Sequence, residues 1–248
     1  MKKLDSKIVA LTCYDYSMAR FLDEAGVDIL LVGDSLAMVM MGEKDTKNIK
    51  IEDMIPFALG VFRGAKKAKV IFDMPVGSYK TASEALENVE LVQQKTGIKI
   101  FKIEGRPDIV EALTKKGIEV MGHTGLKPQT AEKNAVVGRS TQEWEAVESE
   151  AIAIEHAGAK WIVLECVPVN LAKELTKKLV VPTIGIGAGV HCDGQILVLY
   201  DMVNLYQEIQ PKFVRHYANL GDELKKAVIE FVKDVKGEQF PLNKESFL

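Results

Sequence analysis

Short runs rich in valine, isoleucine and leucine recur along the chain, separated by longer amphipathic stretches. That alternation is the βαβ signature of a parallel sheet. It predicts strands near Ile8–Cys13, Ile29–Val32, Val70–Asp73, Ile98–Glu104, Glu119–Gly122, Trp161–Glu165, Thr183–Ile186 and Gln195–Val198. Eight such units favour a closed (β/α)8 TIM barrel over an open doubly wound sheet, which more often stops at about five or six strands.

The intervening segments carry helix punctuation. Thr81-Ala82-Ser83-Glu84 and Ser140-Thr141-Gln142-Glu143 read as capping boxes, the second opening a helix through Trp144–His156 that stops at Gly158. Pro107 suits the first turn of a helix closing with Lys115-Lys116-Gly117. A further helix is expected over roughly Asp222–Val235, beyond the eighth unit. With no linker, repeat array or low-complexity tract, one α/β domain over residues 1–248 is the economical expectation. The length is close to the roughly 250 residues typical of one such barrel.

Composition narrows the setting. A net charge of −3 gives no bulk attraction to nucleic acid or an anionic membrane, so neither is expected as a partner. No apolar run approaches the ~18 residues of a membrane span, and no signal-peptide core is present, so a cytoplasmic protein is expected. Cys13, Cys166 and Cys192 form no CxxC pair and suggest neither a disulfide framework nor a zinc knuckle.

Active sites in this fold lie at the carboxyl ends of the strands. There the sequence places Asp34 and Ser35 after the second strand, Asp73 on the third, Glu104 on the fourth, His123 on the fifth and Glu165 on the sixth. A carboxylate in that position can simply cap the next helix. Asp73 is a poor cap, because Pro75 and Gly77 delay the next helix until Thr81. Three acids on consecutive strands would repel one another unless a cation sat among them, and oxygen-only ligands point to Mg²⁺ over zinc. Lys102 shares a strand face with Glu104, and burying it is costly unless it is paired. It either reaches the mouth, where it could bind an anionic carboxylate, or points outward between helices. His123 reads as a structural or a functional histidine; His156, His191 and His216 lack even that positional support. The glycines at 185, 187 and 189 could admit an anion to backbone amides or simply make a tight turn.

Several blocks together resemble the ketopantoate hydroxymethyltransferases of the phosphoenolpyruvate/pyruvate-type barrel superfamily. They are Thr12-Cys13-Tyr14-Asp15-Tyr16-Ser17, Val32-Gly33-Asp34-Ser35-Leu36, Lys102-Ile103-Glu104-Gly105, Gly122-His123-Thr124-Gly125-Leu126 and Leu164-Glu165-Cys166-Val167-Pro168. Ile184–Gly189, Asp193-Gly194-Gln195 and Pro211-Lys212-Phe213 continue the match in family order over nearly the whole chain. The resemblance implies transfer of a one-carbon unit from 5,10-methylenetetrahydrofolate to 3-methyl-2-oxobutanoate, giving 2-dehydropantoate, in a homo-decamer. It implies Asp34 and Asp73 as Mg²⁺ ligands, with Glu104 at the metal directly or through water. Ser35 and Lys102 would hold the substrate carboxylate beside His123, the substrate would chelate the metal held by Asp34 and Asp73, and Glu165 would be the base at C3.

The chain also departs from the family pattern. Lys44-Asp45-Thr46-Lys47-Asn48 replaces an Asp-Ser-Thr run, Ala37 replaces a glycine, and the segments after Glu104 and His123 are short. These departures bear on folate and substrate specificity more than on the metal site. Two alternatives compete: a Mg²⁺-dependent 2-oxo acid enzyme of the phosphoenolpyruvate mutase/isocitrate lyase type, and a non-catalytic barrel. The first often uses a lid cysteine, absent here between Cys13 and Cys166; the second has no need of six functional residues together.

Overall fold

The computed structural model describes residues 6–133 and 135–247. Eight parallel strands close into a barrel in sequence order: β1 (Ile8–Thr12), β2 (Ile29–Val32), β3 (Lys69–Asp73), β4 (Ile100–Glu104), β5 (Glu119–Gly125), β6 (Trp161–Glu165), β7 (Thr183–Ile186) and β8 (Gly194–Leu197). β8 pairs back onto β1, with Ala10 opposite Ile196, which completes the ring. The helices are α1 (Tyr16–Glu24), α2 (Leu36–Val39), α3 (Ile51–Gly64), α4 (Ala82–Thr96), α5 (Pro107–Thr114), α6 (Thr141–His156), α7 (Val169–Lys178), α8 (Leu199–Met202) and α9 (Leu220–Lys236). Among the described residues, those up to Val198 form one compact unit and those from Leu199 onward a second. In the second, Phe231 on α9 meets Phe240 edge-on, with ring centroids 5.4 Å apart. No helix among the described residues is long and apolar enough to cross a membrane.

Every strand supplies the barrel interior. Ala10, Ile29, Leu31, Ile71, Ile100, Met121, Val163, Ile184 and Ile196 form one buried cluster. Because side chains alternate along a strand, the residue two positions further on faces the same interior. From Ile71 that residue is Asp73, from Ile100 Lys102 and then Glu104, from Met121 His123, and from Val163 Glu165. The apolar layer is therefore the floor on which a polar layer stands.

Two strand ends differ from the sequence expectation by more than one residue. β5 runs to Gly125 instead of Gly122, because His123, Thr124 and Gly125 pair with Val163, Leu164 and Glu165. Polar residues hid the strand's continuation. β4 starts at Ile100 instead of Ile98, because the apolar run begins in the helix stop. Gly97 is a left-handed cap at φ 84°, and the Ile98 amide donates to Thr96 Oγ1 at 3.1 Å.

Capping follows the sequence closely. At Ser140 both reciprocal bonds form: the Glu143 amide donates to Ser140 Oγ at 3.2 Å, and the Ser140 amide to Glu143 Oε2 at 3.1 Å. At Thr81 only half of the box is present, since Glu84 Oε2 accepts from the Lys80 amide at 3.0 Å.

α6 lies directly on β5 at Gly122, where a Cβ would fall 2.2 Å from Ile154 Cγ2. Overpacking of this kind typically costs about 1–3 kcal/mol. Gly122→Ala is accordingly expected to lower the unfolding free energy by that margin, seen as a lower urea midpoint with an unchanged m-value. A wild-type midpoint would contradict the close approach.

Candidate active site

The β2–α2 turn delivers the first pair of polar side chains. Gly33 permits a turn so close that a Cβ there would sit 2.9 Å from Ser35 Oγ. Asp34 is buried, and Ser35, half-buried, has its hydroxyl 2.7 Å from Tyr14 Oη at the end of β1. On the next two strands Asp73 and Lys102 are register partners. Lys102 Nζ donates to both Asp73 oxygens, at 2.8 and 2.9 Å, and lies 3.7 Å from Glu104 Oε1. With 5% of its surface exposed, Lys102 points into the mouth, and the outward alternative is excluded.

His123 continues the array. It is 1% exposed, with Nδ1 3.3 Å from Glu104 Oε1 and Nε2 3.3 Å from Glu165 Oε2. Neither ring nitrogen attains hydrogen-bond geometry, so these contacts are ionic in character. All seven residues expected at the strand ends thus lie where the fold puts its chemistry, with Lys102, Glu104, His123 and Glu165 in one continuous line of contacts. His156, His191 and His216 are exposed. Gly187 and Gly189 take positive φ of 62° and 83°, as a tight turn after β7 requires.

Nothing in the sequence pattern points to Gln129, which the β5–α6 loop buries against the acids. Its amide nitrogen reaches Asp34 Oδ2 at 3.1 Å and the Met74 carbonyl at 3.0 Å, while its backbone N–H donates to Glu104 Oε2 at 3.2 Å. Tyr79 donates to Gln129 Oε1 at 2.5 Å. Neither residue stands at a strand end, so positional logic passes them by.

The electrostatics sort the carboxylates. Burial, reinforced by the Asp73 charge, pushes Asp34 up to about 8. Asp73 is also raised by burial, although the Lys102 ammonium opposes the shift. Burial acts to raise Glu104 as well, but the His123 and Lys102 charges outweigh it and hold Glu104 below the usual carboxylate range. For His123, burial disfavours the cation, but the Glu104 carboxylate prevails and pushes it up to about 9. Burial acts to lower Lys102, but Asp73, Glu104 and Asp34 outweigh it and raise the ammonium. Two cations, Lys102 and His123, thus stand among four carboxyl groups, Asp34, Asp73, Glu104 and Glu165, so acids outnumber cations in the mouth.

That imbalance, in an oxygen-only donor set, fits a hard cation. Among the described residues no three His, Cys, Asp or Glu side chains are spaced to hold a metal by themselves. A hard ion that takes one or two carboxylates and completes its shell with substrate and water, as Mg²⁺ does, makes no demand for three protein ligands. Burial pushes the Cys13 thiol up to about 12 and the Cys166 thiol up to about 11, and raises Cys192 as well.

A closed barrel with acids, a lysine and a histidine buried at its carboxyl mouth is the arrangement on which (β/α)8 enzymes build their active centres. Solved structures of that architecture are similar in fold. One is 2,3-dimethylmalate lyase, a PEP mutase/isocitrate lyase superfamily member, with TM-score 0.61 and 20% identity, covering 98% of this chain and 87% of that one. Another is phosphonopyruvate hydrolase in complex with oxalate and Mg²⁺, with TM-score 0.61 and 11% identity, covering 96% and 88%. Sequence relatives are more specific. The profile of the family described as ketopantoate hydroxymethyltransferase matches residues 1–243. The 3-methyl-2-oxobutanoate hydroxymethyltransferase of Syntrophus aciditrophicus (strain SB) is 44% identical over 255 residues, covering all of this chain and 94% of that protein. The protein of that name from Chlorobium phaeobacteroides (strain DSM 266 / SMG 266 / 2430) is 45% identical over 258 residues, covering 100% and 93%. The chain belongs to the ketopantoate hydroxymethyltransferase family.

Removing the ammonium from this array would strand Asp73 and Glu104 in the interior. Breaking a buried ion pair on one side costs about 3–5 kcal/mol. Lys102→Met is expected to lose that much stability in urea unfolding; a wild-type midpoint would contradict the pairing.

Proposed function

We propose that this chain transfers a hydroxymethyl group from 5,10-methylenetetrahydrofolate to 3-methyl-2-oxobutanoate, giving 2-dehydropantoate, as a cytoplasmic homo-oligomer that is a decamer by family resemblance. The observation that carries the reading is the line from Lys102 through Glu104 and His123 to Glu165, which sets a cation for an acid substrate beside a candidate base. Relatives at 44–45% identity bear the name of this activity.

A C–H proton next to a ketone is too weakly acidic for a carboxylate base unless the enolate charge is stabilised. Asp34 and Asp73 would hold Mg²⁺, which when bound would supply that stabilisation as a Lewis acid. Glu104, engaged by Lys102, His123 and the Gln129 backbone N–H, would join them at the metal directly or through water. Lys102, and the Ser35 hydroxyl beside Tyr14, receive the substrate carboxylate. Glu165, the half-buried member of the line, removes the C3 proton. Nε2 of His123 fixes the Glu165 carboxylate on one side, leaving the other for substrate. A positioned base of this kind contributes about 10²–10⁴-fold. The C3 carbanion then forms a bond to the methylene carbon as its bond to one folate nitrogen breaks. Water displaces the second folate nitrogen, giving the hydroxymethyl group, and tetrahydrofolate leaves with the proton taken from C3 on one nitrogen and one from water on the other.

Proton exchange isolates the first step. With Mg²⁺ in D₂O, the C3 proton of 3-methyl-2-oxobutanoate is expected to exchange without folate, followed by NMR. Glu165→Gln is expected to slow exchange by at least about 10²-fold. No exchange by folded wild-type protein would remove the mechanism, and undiminished exchange in Glu165→Gln would assign the base elsewhere. Exchange without product on adding methylenetetrahydrofolate would sink the transfer assignment alone.

A further inference from the structure

Gln129 is a long polar side chain, 3% exposed, in a place where hydrogen-bond capacity must be filled. Its hydrogen-bonding groups are engaged on all sides. The two amide hydrogens face Asp34 Oδ2 and the Met74 carbonyl, Oε1 accepts from Tyr79, and the backbone N–H serves Glu104. One residue of the β5–α6 loop thereby ties together the ends of β2, β3 and β4.

The orientation of the amide is determined by chemistry. Asp34 Oδ2 and the Met74 carbonyl are acceptors, whereas the Tyr79 hydroxyl has a proton to give. Flipping the amide would set Oε1 against two acceptors and the NH₂ group against the phenol. Tyr79, buried at 7% exposure, thus locks Gln129 with its donors toward Asp34. Among the described residues this is the hydrogen bond that the Asp34 side chain receives, and it commits Oδ2 while leaving Oδ1 available.

We propose that Gln129, held in one orientation by Tyr79, is a positioning residue that fixes how Asp34 is presented to the divalent cation. The inference rests on the reading of Asp34 as a ligand given above. It also gives the shortened β5–α6 loop a role, since the loop carries at its start the group that aligns a carboxylate 95 residues earlier in the chain. Outer-shell partners of ligating carboxylates typically change metal affinity by about 10–100-fold when removed.

The test is titration of wild-type protein, Gln129→Ala and Tyr79→Phe with Mn²⁺ as the probe, free ion being read by electron paramagnetic resonance. Thermal unfolding is recorded in parallel. Gln129→Ala is expected to weaken Mn²⁺ binding about 10-fold. Tyr79→Phe, which removes only the lock, is expected to weaken it by a smaller factor in the same direction. Lowered kcat at an unchanged KM for methylenetetrahydrofolate would accompany both. A merely structural loss would lower the melting temperature and the active fraction without moving the Mn²⁺ dissociation constant of the folded protein. Wild-type Mn²⁺ affinity in folded Tyr79→Phe and Gln129→Ala would overturn the inference, and Tyr79→Phe decides alone if Gln129→Ala does not fold. Failure of the wild-type protein itself to bind Mn²⁺ would overturn the metal reading and this inference with it.

Discussion

The mouth of this barrel depends on one buried cation. Lys102 stands between Asp73, which it grips with two hydrogen bonds, and Glu104, and all three are almost fully removed from water. Isolated, any of these charges would be prohibitively expensive to bury. Together they tolerate burial, and Glu104 passes its influence on to His123 and Glu165. Acids nevertheless outnumber cations there, and burial together with the Asp73 charge pushes Asp34 up to about 8. Such an excess of buried acids suits an additional hard cation.

The barrel makes this arrangement possible. Strand alternation stacks a polar layer on an apolar one, so Ile71, Ile100, Met121 and Val163 support Asp73, Lys102, His123 and Glu165 from below. Those core residues hold neighbouring strands in register, and the register places Asp73 beside Lys102 and Glu104 beside His123. The precision of the site is inherited from the packing of the floor. Outside the barrel the same strands meet helices as closely as Gly122 meets Ile154, which fixes β5 from both faces.

Much of this is legible in the sequence, for physical reasons that also set the limit. β2, β6 and β7 are readable to the residue because continuous apolar runs end in a charge, a glycine or a turn. β5 reads three residues short because its last stretch of pairing is made by His123, Thr124 and Gly125, which carry no apolar signal. The acids, Lys102 and His123 are legible because the fold concentrates chemistry at strand ends and alternation assigns their face. Gln129, Tyr79 and the Tyr14 contact to Ser35 are not, because their contacts span 50, 95 and 21 residues and no local pattern encodes such meetings. The inward direction of Lys102 stays open until its partners are placed. Family membership adds the reaction; the geometry explains why these residue types suit it.

The mouth is completed, on this view, jointly by a divalent cation and a 2-oxo acid. Calorimetric titration of 3-methyl-2-oxobutanoate into the protein tests that most directly, in the presence of Mg²⁺ and again in excess chelator. Saturable binding is predicted with Mg²⁺, and a loss of at least about 10-fold in affinity without it. Equal affinity in chelator would contradict joint completion, leaving the buried acids as structure and not as a metal-dependent substrate site.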